Sequence, residues 1–205
     1  MTPAGESAVF LCGPRAGGNS DTAGLAFAAA LAAAGAPVRV VKLREERLEP
    51  CRGCGACAGP GNRCPLDGDG DAAEALFDLI EAAPVVAFAA PIYFYHVPAL
   101  FKAFIDRAQR RYAARLAAAP RASAPAALAA HVLLVAGRQR GEKLFDGALL
   151  TLKYFLWPLS RELAAPCLLR GMDAPGDLAA AAAALADVAA LGRDAARAAY
   201  GQMRG

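Results

Sequence analysis

Residues 8–34 read AVFLCGPRAGGNSDTAGLAFAAALAAA, and three local patterns follow one another in this stretch. The apolar run at 8–12 is typical of a strand that is buried on both faces. Residues 13–20 are rich in glycine and predict a turn that leads into a helix N-terminus. Residues 21–34 are small or apolar and stop before Gly35, which predicts a helix. A buried strand followed by a loop and a helix indicates an α/β fold.

The same alternation continues along the rest of the chain. It predicts strands at residues 38–43, 85–90, 131–136 and 167–169, and helices at residues 72–83, 99–118, 144–163 and 178–203. Pro158 is expected to kink or interrupt the third of these helices, and Gly192 is a candidate point of division in the last. Five such units predict a flavodoxin-like, doubly wound, five-stranded parallel sheet of order 2-1-3-4-5, in a three-layer sandwich.

The composition sets limits on the class of protein. The chain has 205 residues, of which 57% are apolar and 20% charged, with a net charge of +3. We expect a single domain over residues 1–205, with a cysteine-rich loop inserted at about 44–71. The charge is too small to favour nucleic acid or an anionic membrane as a partner. A membrane span and a secretory signal are not expected, so the predicted location is cytoplasmic.

Each of the unusual loops follows a predicted strand. They are the glycine-rich loop 13–20, the cysteine-rich loop, the aromatic loop 91–98 and the arginine-containing loop 137–141. In a parallel sheet the carboxyl ends of the strands lie on one edge, so the four loops are expected to meet there. This edge is the predicted functional site.

Two of these loops have compositions that suit ligands. Backbone N–H groups and the helix dipole after loop 13–20 favour a phosphate dianion, although a tight turn and helix cap would look similar. The loop matches neither the G-x-G-x-x-G dinucleotide pattern nor a Walker-type loop. The tyrosines and phenylalanine of loop 91–98 could cover a flat conjugated ring or belong to the core.

Four cysteines fall within fourteen residues of the cysteine-rich loop. Cys51, Cys54, Cys57 and Cys64 have the spacing C-x₂-C-x₂-C-x₆-C, and Pro65 follows the last of them. In a reducing compartment this grouping indicates a metal or redox site rather than a disulfide framework. One 4Fe–4S cluster, zinc and no metal all stay open as interpretations of the spacing.

Three motifs carry a resemblance to a known family. GPRAGGNS at 13–20, CRGCGAC at 51–57 and PIYFYHVPALFKAFIDR at 91–107 resemble the NADPH-dependent FMN reductase family, and more narrowly its iron–sulfur flavoprotein branch. The resemblance covers residues 7–115, and 131–171 more loosely. It implies an oxidoreductase with FMN as cofactor and NAD(P)H as a possible electron donor.

The resemblance also implies a role for particular residues. The phosphate-binding segment would contain Arg15, Asn19, Ser20 and Thr22. The segment beside the ribityl chain and the isoalloxazine ring would contain Pro91, Ile92, Tyr93 and Phe94, and the third flavin-contacting loop Gly137 and Arg138. The family commonly has serine where this chain has Gly13, so one expected phosphate ligand is missing.

The predicted function follows from these assignments. The chain would pass electrons between FMN and a 4Fe–4S cluster that is held by the four cysteines. Three alternatives remain: a cluster-free NAD(P)H-dependent FMN, quinone or azo reductase, a non-catalytic electron carrier, and a flavin-free module stabilised by zinc. The resemblance further implies a homodimer or homotetramer and a small-molecule or ferredoxin-type redox partner.

Overall fold

Six short strands form one parallel sheet in the computed structural model, which describes residues 5–68, 70–118 and 127–201. The strands are β1 (Ser7–Leu11), β2 (Val38–Lys42), β3 (Val86–Pro91), β4 (Leu128–Val135), β5 (Arg161–Leu163) and β6 (Cys167–Leu169). The helices are α1 (Asn19–Ala33), α2 (Ala73–Ala82), α3 (Ala99–Arg107), α4 (Gln109–Ala118), α5 (Asp146–Leu156), α6 (Asp177–Ala180) and α7 (Ala182–Tyr200). Short 3₁₀ turns occupy Leu43–Glu45, Ala56–Ala58 and Trp157–Leu159.

The strand order confirms the predicted topology. The order is β2-β1-β3-β4-β5, and β6 also pairs with β4. Each of these pairings is parallel, and helices cover both faces of the sheet. The carboxyl ends of all six strands therefore lie on the same edge, as the sequence predicted for the loops that follow β1, β2, β3 and β4. None of the helices in the described ranges is long and apolar enough to cross a membrane.

Two short strands share the outermost position of the sheet, where the sequence predicted only residues 167–169. β5 pairs with the first half of β4, and β6 pairs with its second half. Pro166 lies between them and has no N–H to donate to a ladder, so the pairing is interrupted there. Because residues 161–163 belong to a strand, the prediction of one helix over 144–163 is wrong at its end. That helix stops at Leu156, and Pro158 lies in the following 3₁₀ turn, as its interrupting effect predicted.

Two other predicted helices are each divided in the structure. The predicted helix 99–118 consists of α3 and α4, which are separated at Ala108. The predicted helix 178–203 consists of α6 and α7, which are separated at Ala181 and not at Gly192. Residues 202 and 203 lie outside the described ranges. The apolar periodicity continues through both breaks, so it could not reveal them.

The two faces of the sheet bury separate cores. On one face phenylalanines from the sheet and from α2, α3 and α5 stack on one another, with ring centroids 5.0 Å apart for Phe10–Phe88 and 4.7 Å apart for Phe77–Phe104. On the other face α1 lies between the sheet and α7, and its Phe27 is completely buried. Each large side chain buried in this way contributes about 1.5–3 kcal/mol.

Two glycines allow α1 to approach its neighbours closely. A Cβ atom at Gly24 would overlap the side chain of Leu11 in β1. A Cβ atom at Gly192 of α7 would lie 2.8 Å from the carbonyl oxygen of Phe27 and 2.9 Å from the Cβ of Ala30. These contacts fix the position of α1, whose N-terminus carries the glycine-rich loop.

We expect Gly192→Ala to destabilise the protein, although alanine is the better helix former by about 1 kcal/mol. The added methyl group has no space against α1, and such overpacking costs about 1–3 kcal/mol. Urea unfolding measures the change in the free energy of unfolding. Arg193→Ala, at an exposed position of the same helix, is the control, and we expect it to change the free energy of unfolding by no more than about 0.5 kcal/mol. Equal stability of the two variants would contradict the close packing of α1 on α7.

His131 predicts a dependence of stability on pH. Burial lowers the pKa of this imidazole, and its Nδ1 atom has no hydrogen-bond partner among the described residues. Since the folded-state pKa lies below that of the unfolded chain, folding is favoured above about pH 6.5 and loses stability as the pH falls below that value. Between pH 7.5 and 5.0 we expect His131→Leu to lose less unfolding free energy than the wild type. A parallel loss in both proteins would assign the acid sensitivity to other groups.

Candidate functional site

A cavity of about 240 Å³ lies at the carboxyl edge of the sheet. The structure brings three of the predicted loops together around it, because they follow β1, β3 and β4. Seven of the predicted flavin-contacting residues line this cavity: Arg15, Asn19, Ser20, Pro91, Ile92, Tyr93 and Gly137.

A second cavity of about 320 Å³ adjoins the first. The two cavities share Ile92, Gly137 and Asp173, and the second is also lined by Phe94 and Arg138. Thr22 lines neither cavity. Its hydroxyl donates a long hydrogen bond of 3.4 Å to the carbonyl oxygen of Gly18 at the start of α1.

The first turn of α1 forms one end of the first cavity. Gly18 is the N-cap residue and provides no side-chain cap, so the first backbone N–H groups of the helix keep their capacity to bind a ligand. Gly17 has a φ of +68°, a conformation that glycine adopts readily. The loop before α1 therefore presents N–H donors and the positive end of the helix dipole, as phosphate binding requires.

Ser20 occupies the space of the side chain that is missing at Gly13. A Cβ atom at Gly13 would lie 2.8 Å from the Ser20 Oγ. A serine at position 13, as the family commonly has, would not fit unless Ser20 moved. The hydroxyl of Ser20 thus supplies the polar group at this place in the cavity.

Asn19 connects the loop before α1 to the loop after β6. Its Nδ2 donates hydrogen bonds to the carbonyl oxygens of Met172 at 3.0 Å and Ala174 at 2.9 Å. Its Oδ1 accepts a hydrogen bond of 3.2 Å from the backbone N–H of Leu178. The side-chain amide is therefore engaged within the chain, and the predicted contact of Asn19 with a phosphate stays a prediction that rests on its backbone N–H.

The loop after β6 contributes two residues that sequence reasoning missed. Met172 and Asp173 line the first cavity, and Asp173 also lines the second. A Cβ atom at Gly137 would overlap the Asp173 carboxylate, so glycine is required for the close approach of the two loops. The sequence could have indicated these two residues, because their loop also follows a predicted strand and must reach the same edge of the sheet.

The aromatic loop contains a tight two-residue turn. Tyr93 and His96 exchange two backbone hydrogen bonds of 2.9 and 3.0 Å, and the residues between them, Phe94 and Tyr95, have φ values of +48° and +63°. Positive φ at bulky residues is unfavourable by about 1–3 kcal/mol each and is concentrated at functional sites. The Phe94 side chain is fully exposed, with a relative accessibility of 101%. The turn therefore presents an aromatic ring at the mouth of the second cavity.

Arg138 contacts this aromatic turn. Its Nη1 donates a hydrogen bond of 3.1 Å to the hydroxyl of Tyr95, and its guanidinium lies 5.9 Å from the centre of the same ring. The residue thus brings a positive charge to the edge of the second cavity. Arg140, in the same loop, is exposed and lines neither cavity.

The end of the cysteine-rich loop is tied to α3 by a buried ion pair. Arg107 Nη1 donates to Asp71 Oδ2 at 2.7 Å and to the carbonyl oxygen of Glu49 at 3.0 Å, and its side chain is only 1% exposed. Burial alone would raise the pKa of Asp71, but hydrogen bonds from Arg107 and from the backbone of Glu49 and Ala73, together with the charge of Arg107, lower it. The two ends of the loop are thereby held together.

All four clustered cysteines line one cavity of about 430 Å³ between the cysteine-rich loop and α4. Their thiols are free. Within residues 5–68, 70–118 and 127–201 no group of three or more Cys, His, Asp or Glu side chains is close enough to hold a metal ion. The structure therefore gathers the predicted ligands around one space without placing them at ligating distances.

Arg107 also contributes to the wall of this cavity, and its guanidinium is paired with the carboxylates of Asp71 and Asp67. Its Nε atom is buried without a hydrogen-bond partner among the described residues. Burial would lower the pKa of this guanidinium, but Asp71, followed by smaller effects of Cys64 and Asp67, raises it. The Nε–H group is thus a buried donor that remains available to a hydrogen-bond acceptor.

Two curated proteins are similar to part of the chain. An iron-sulfur flavoprotein of Archaeoglobus fulgidus is 34% identical over 98 residues, which cover 48% of this chain and 43% of that protein. An iron-sulfur flavoprotein of Methanosarcina thermophila is 36% identical over 67 residues, which cover 33% of each. The chain thus matches less than half of the length of these relatives.

A solved structure and a family model extend the comparison. The NAD(P)H:quinone oxidoreductase from Methanothermobacter marburgensis superposes with a TM-score of 0.69 over 93% of this chain and 96% of that chain, at 20% identity, which supports the fold alone. The model of the family described as NADPH-dependent FMN reductase matches residues 7–143, which contain the glycine-rich, cysteine-rich and aromatic loops. With two thirds of its length matched by that model, the chain belongs to the NADPH-dependent FMN reductase family.

Proposed function

We propose that the protein is an NAD(P)H-dependent FMN oxidoreductase, with its cofactor in the two adjoining cavities at the carboxyl edge of the sheet. The proposal rests on the order in which the protein's chemical groups follow one another along these cavities. A helix N-terminus lies at one end, and an aromatic turn and a guanidinium lie at the other. FMN has the same order, from a phosphate dianion to a flat conjugated ring.

The residues at the phosphate end fit the cofactor. Ser20 offers a hydroxyl, the first turn of α1 offers N–H groups, and the glycine at position 13 leaves the space that Ser20 occupies. The FMN phosphate would be held by several charge-assisted hydrogen bonds, each worth about 1.5–3 kcal/mol. Arg15 lines the same cavity and adds a positive charge.

The residues at the ring end would orient the cofactor and restrict water. Tyr93 and Phe94 would border one face of the ring, while the contact between Arg138 and Tyr95 limits the motion of the aromatic turn. The positive charge of Arg138 would favour a reduced, negatively charged ring. FMN supplies reversible uptake of a hydride and release of its electrons singly or in pairs.

Ser20→Ala is expected to weaken FMN binding by about 10- to 100-fold, because one charge-assisted hydrogen bond is lost. Gly13→Ala should weaken it as well, because the new methyl group displaces the Ser20 hydroxyl. Titration of apoprotein with FMN, followed by quenching of flavin fluorescence, measures both effects. Riboflavin, which lacks the phosphate, is the matched ligand control and should bind all three proteins equally. An equal loss of affinity for both flavins would place the phosphate elsewhere.

We further propose that the cysteine-rich loop binds a 4Fe–4S cluster. Three observations support this proposal: the shared cavity, the ferredoxin-like spacing of the first three cysteines, and an Arg107 Nε atom that has no hydrogen-bond partner among the described residues. The names of the two partial relatives, both iron-sulfur flavoproteins, agree with it. Because the thiols are not at ligating distances, the loop would have to close around the cluster as it assembles.

The loop has the backbone freedom for such closure. Gly53 and Gly55 lie between the first three cysteines and have φ values of +62° and +75°. Cys51 and Cys54 are exposed, whereas the ends of the loop are fixed by buried contacts. The tip can therefore rearrange while its ends keep their positions.

Cys57→Ser should lose bound iron but keep FMN, because the phosphate and ring contacts lie on other loops. Iron and sulfide are assayed after anaerobic reconstitution, and FMN is determined from the absorption spectrum of the same samples. Cys167→Ser is the matched control, because this half-buried thiol lies on β6 outside the cysteine cavity, and it should keep both. Fewer than about two irons per wild-type chain would contradict the cluster and favour a cluster-free reductase.

A further inference from the structure

A buried ion pair lies directly behind the proposed phosphate site. Asp21 is in the first turn of α1 and its side chain is only 3% exposed. Its Oδ2 accepts a hydrogen bond of 3.0 Å from the backbone N–H of Gly17. Its Oδ1 lies 3.8 Å from the position of a Cβ atom at Gly13. A negative charge therefore sits beneath the loop that is to receive a phosphate dianion.

Arg44 neutralises this charge from the neighbouring strand connection. It belongs to the 3₁₀ turn Leu43–Glu45 that follows β2, and its side chain is 15% exposed. Its Nη2 lies 3.0 Å from Asp21 Oδ2, and its Nη1 lies 3.2 Å from Asp21 Oδ1, so the pair is bidentate. The same Nη1 donates to the carbonyl oxygen of Gly13 at 3.3 Å.

These contacts have an electrostatic consequence for an incoming phosphate. A carboxylate in the first turn stabilises a helix N-terminus that has no bound ligand, but it weakens the binding of a second anion at the same place. Without its partner, Asp21 would repel the phosphate across a few ångströms of poorly screened protein. Arg44 removes that repulsion and leaves the helix dipole and N–H groups available to the ligand.

We propose that Arg44 is a positioning residue of the phosphate site, which acts by cancelling the charge of Asp21 and holding the Gly13 carbonyl. It does not line the cavity, so it is not itself a phosphate ligand. This inference rests on the proposed FMN site and adds to it a residue that lies outside all of the recognised motifs. It also links the start of the cysteine-rich loop to the flavin phosphate.

The test separates the charge effect from a mechanical one. Arg44→Met should raise the dissociation constant of FMN by about tenfold or more, equivalent to about 1.4 kcal/mol, and leave that of riboflavin within about twofold. Adding Asp21→Asn to Arg44→Met should restore FMN affinity to within about threefold of the wild type, although the ion pair remains absent. Lys42→Met is the control, since Lys42 pairs with Glu45 on the surface near the same turn and should not affect either flavin.

Each result supports or overturns the inference. The inference would be overturned if the double variant bound FMN as weakly as Arg44→Met does, or if Arg44→Met lost as much affinity for riboflavin as for FMN. Either result would mean that Arg44 acts only by holding the loop in place. If Arg44→Met does not fold, Asp21→Asn alone gives the answer: FMN affinity should stay or rise, and a fall would contradict the charge effect. Equal affinity of the wild type for FMN and riboflavin would instead overturn the proposed phosphate site itself.

Discussion

The parallel pairing of every strand is the constraint on which the site depends. Because every paired strand runs in the same direction, each strand delivers its following loop to one edge of the sheet. Four loops that are far apart in the sequence, after β1, β3, β4 and β6, meet there around two adjoining cavities. The close packing of α1, which requires glycine at position 24, sets where the helix N-terminus stands in this arrangement.

Two buried ion pairs attach the cysteine-rich loop to this framework. Arg44 and Asp21 hold its start against the glycine-rich loop, and Arg107 and Asp71 hold its end against α3. Removing charges from water is unfavourable, and removing one partner of such a pair costs about 3–5 kcal/mol because the other is left buried and unpaired. The first pair places a neutralised carboxylate behind the glycine-rich loop. The second leaves the Nε atom of Arg107, a residue that lines the cysteine cavity, without a hydrogen-bond partner in the part of the chain that the structure describes.

Much of the fold could be predicted from local patterns, because the buried strands are short apolar runs and their loops are rich in glycine and proline. The strand order followed from the alternation of strands and helices and was confirmed. The division at Ala108 and the strand at Arg161–Leu163 could not be predicted, since the apolar periodicity continues through the former and the latter lacks an apolar run. In the site, the family resemblance located nine residues that line the two cavities, whereas Asp173 and Arg44 were missed. Both act through contacts between loops that only the folded chain brings together.

The proposed function depends on the binding of a phosphate dianion at the N-terminus of α1. It is tested most directly by the ³¹P NMR signal of flavin in the purified, flavin-loaded protein between pH 5 and 8. Free phosphomonoesters take up a proton near pH 6, and hydrogen bonds to the dianion lower that pKa. A phosphate held at this helix N-terminus predicts one phosphate signal whose chemical shift stays at the dianion value throughout this range. A signal that titrates near pH 6, as in free FMN, would show a solvent-exposed phosphate and would contradict binding at α1.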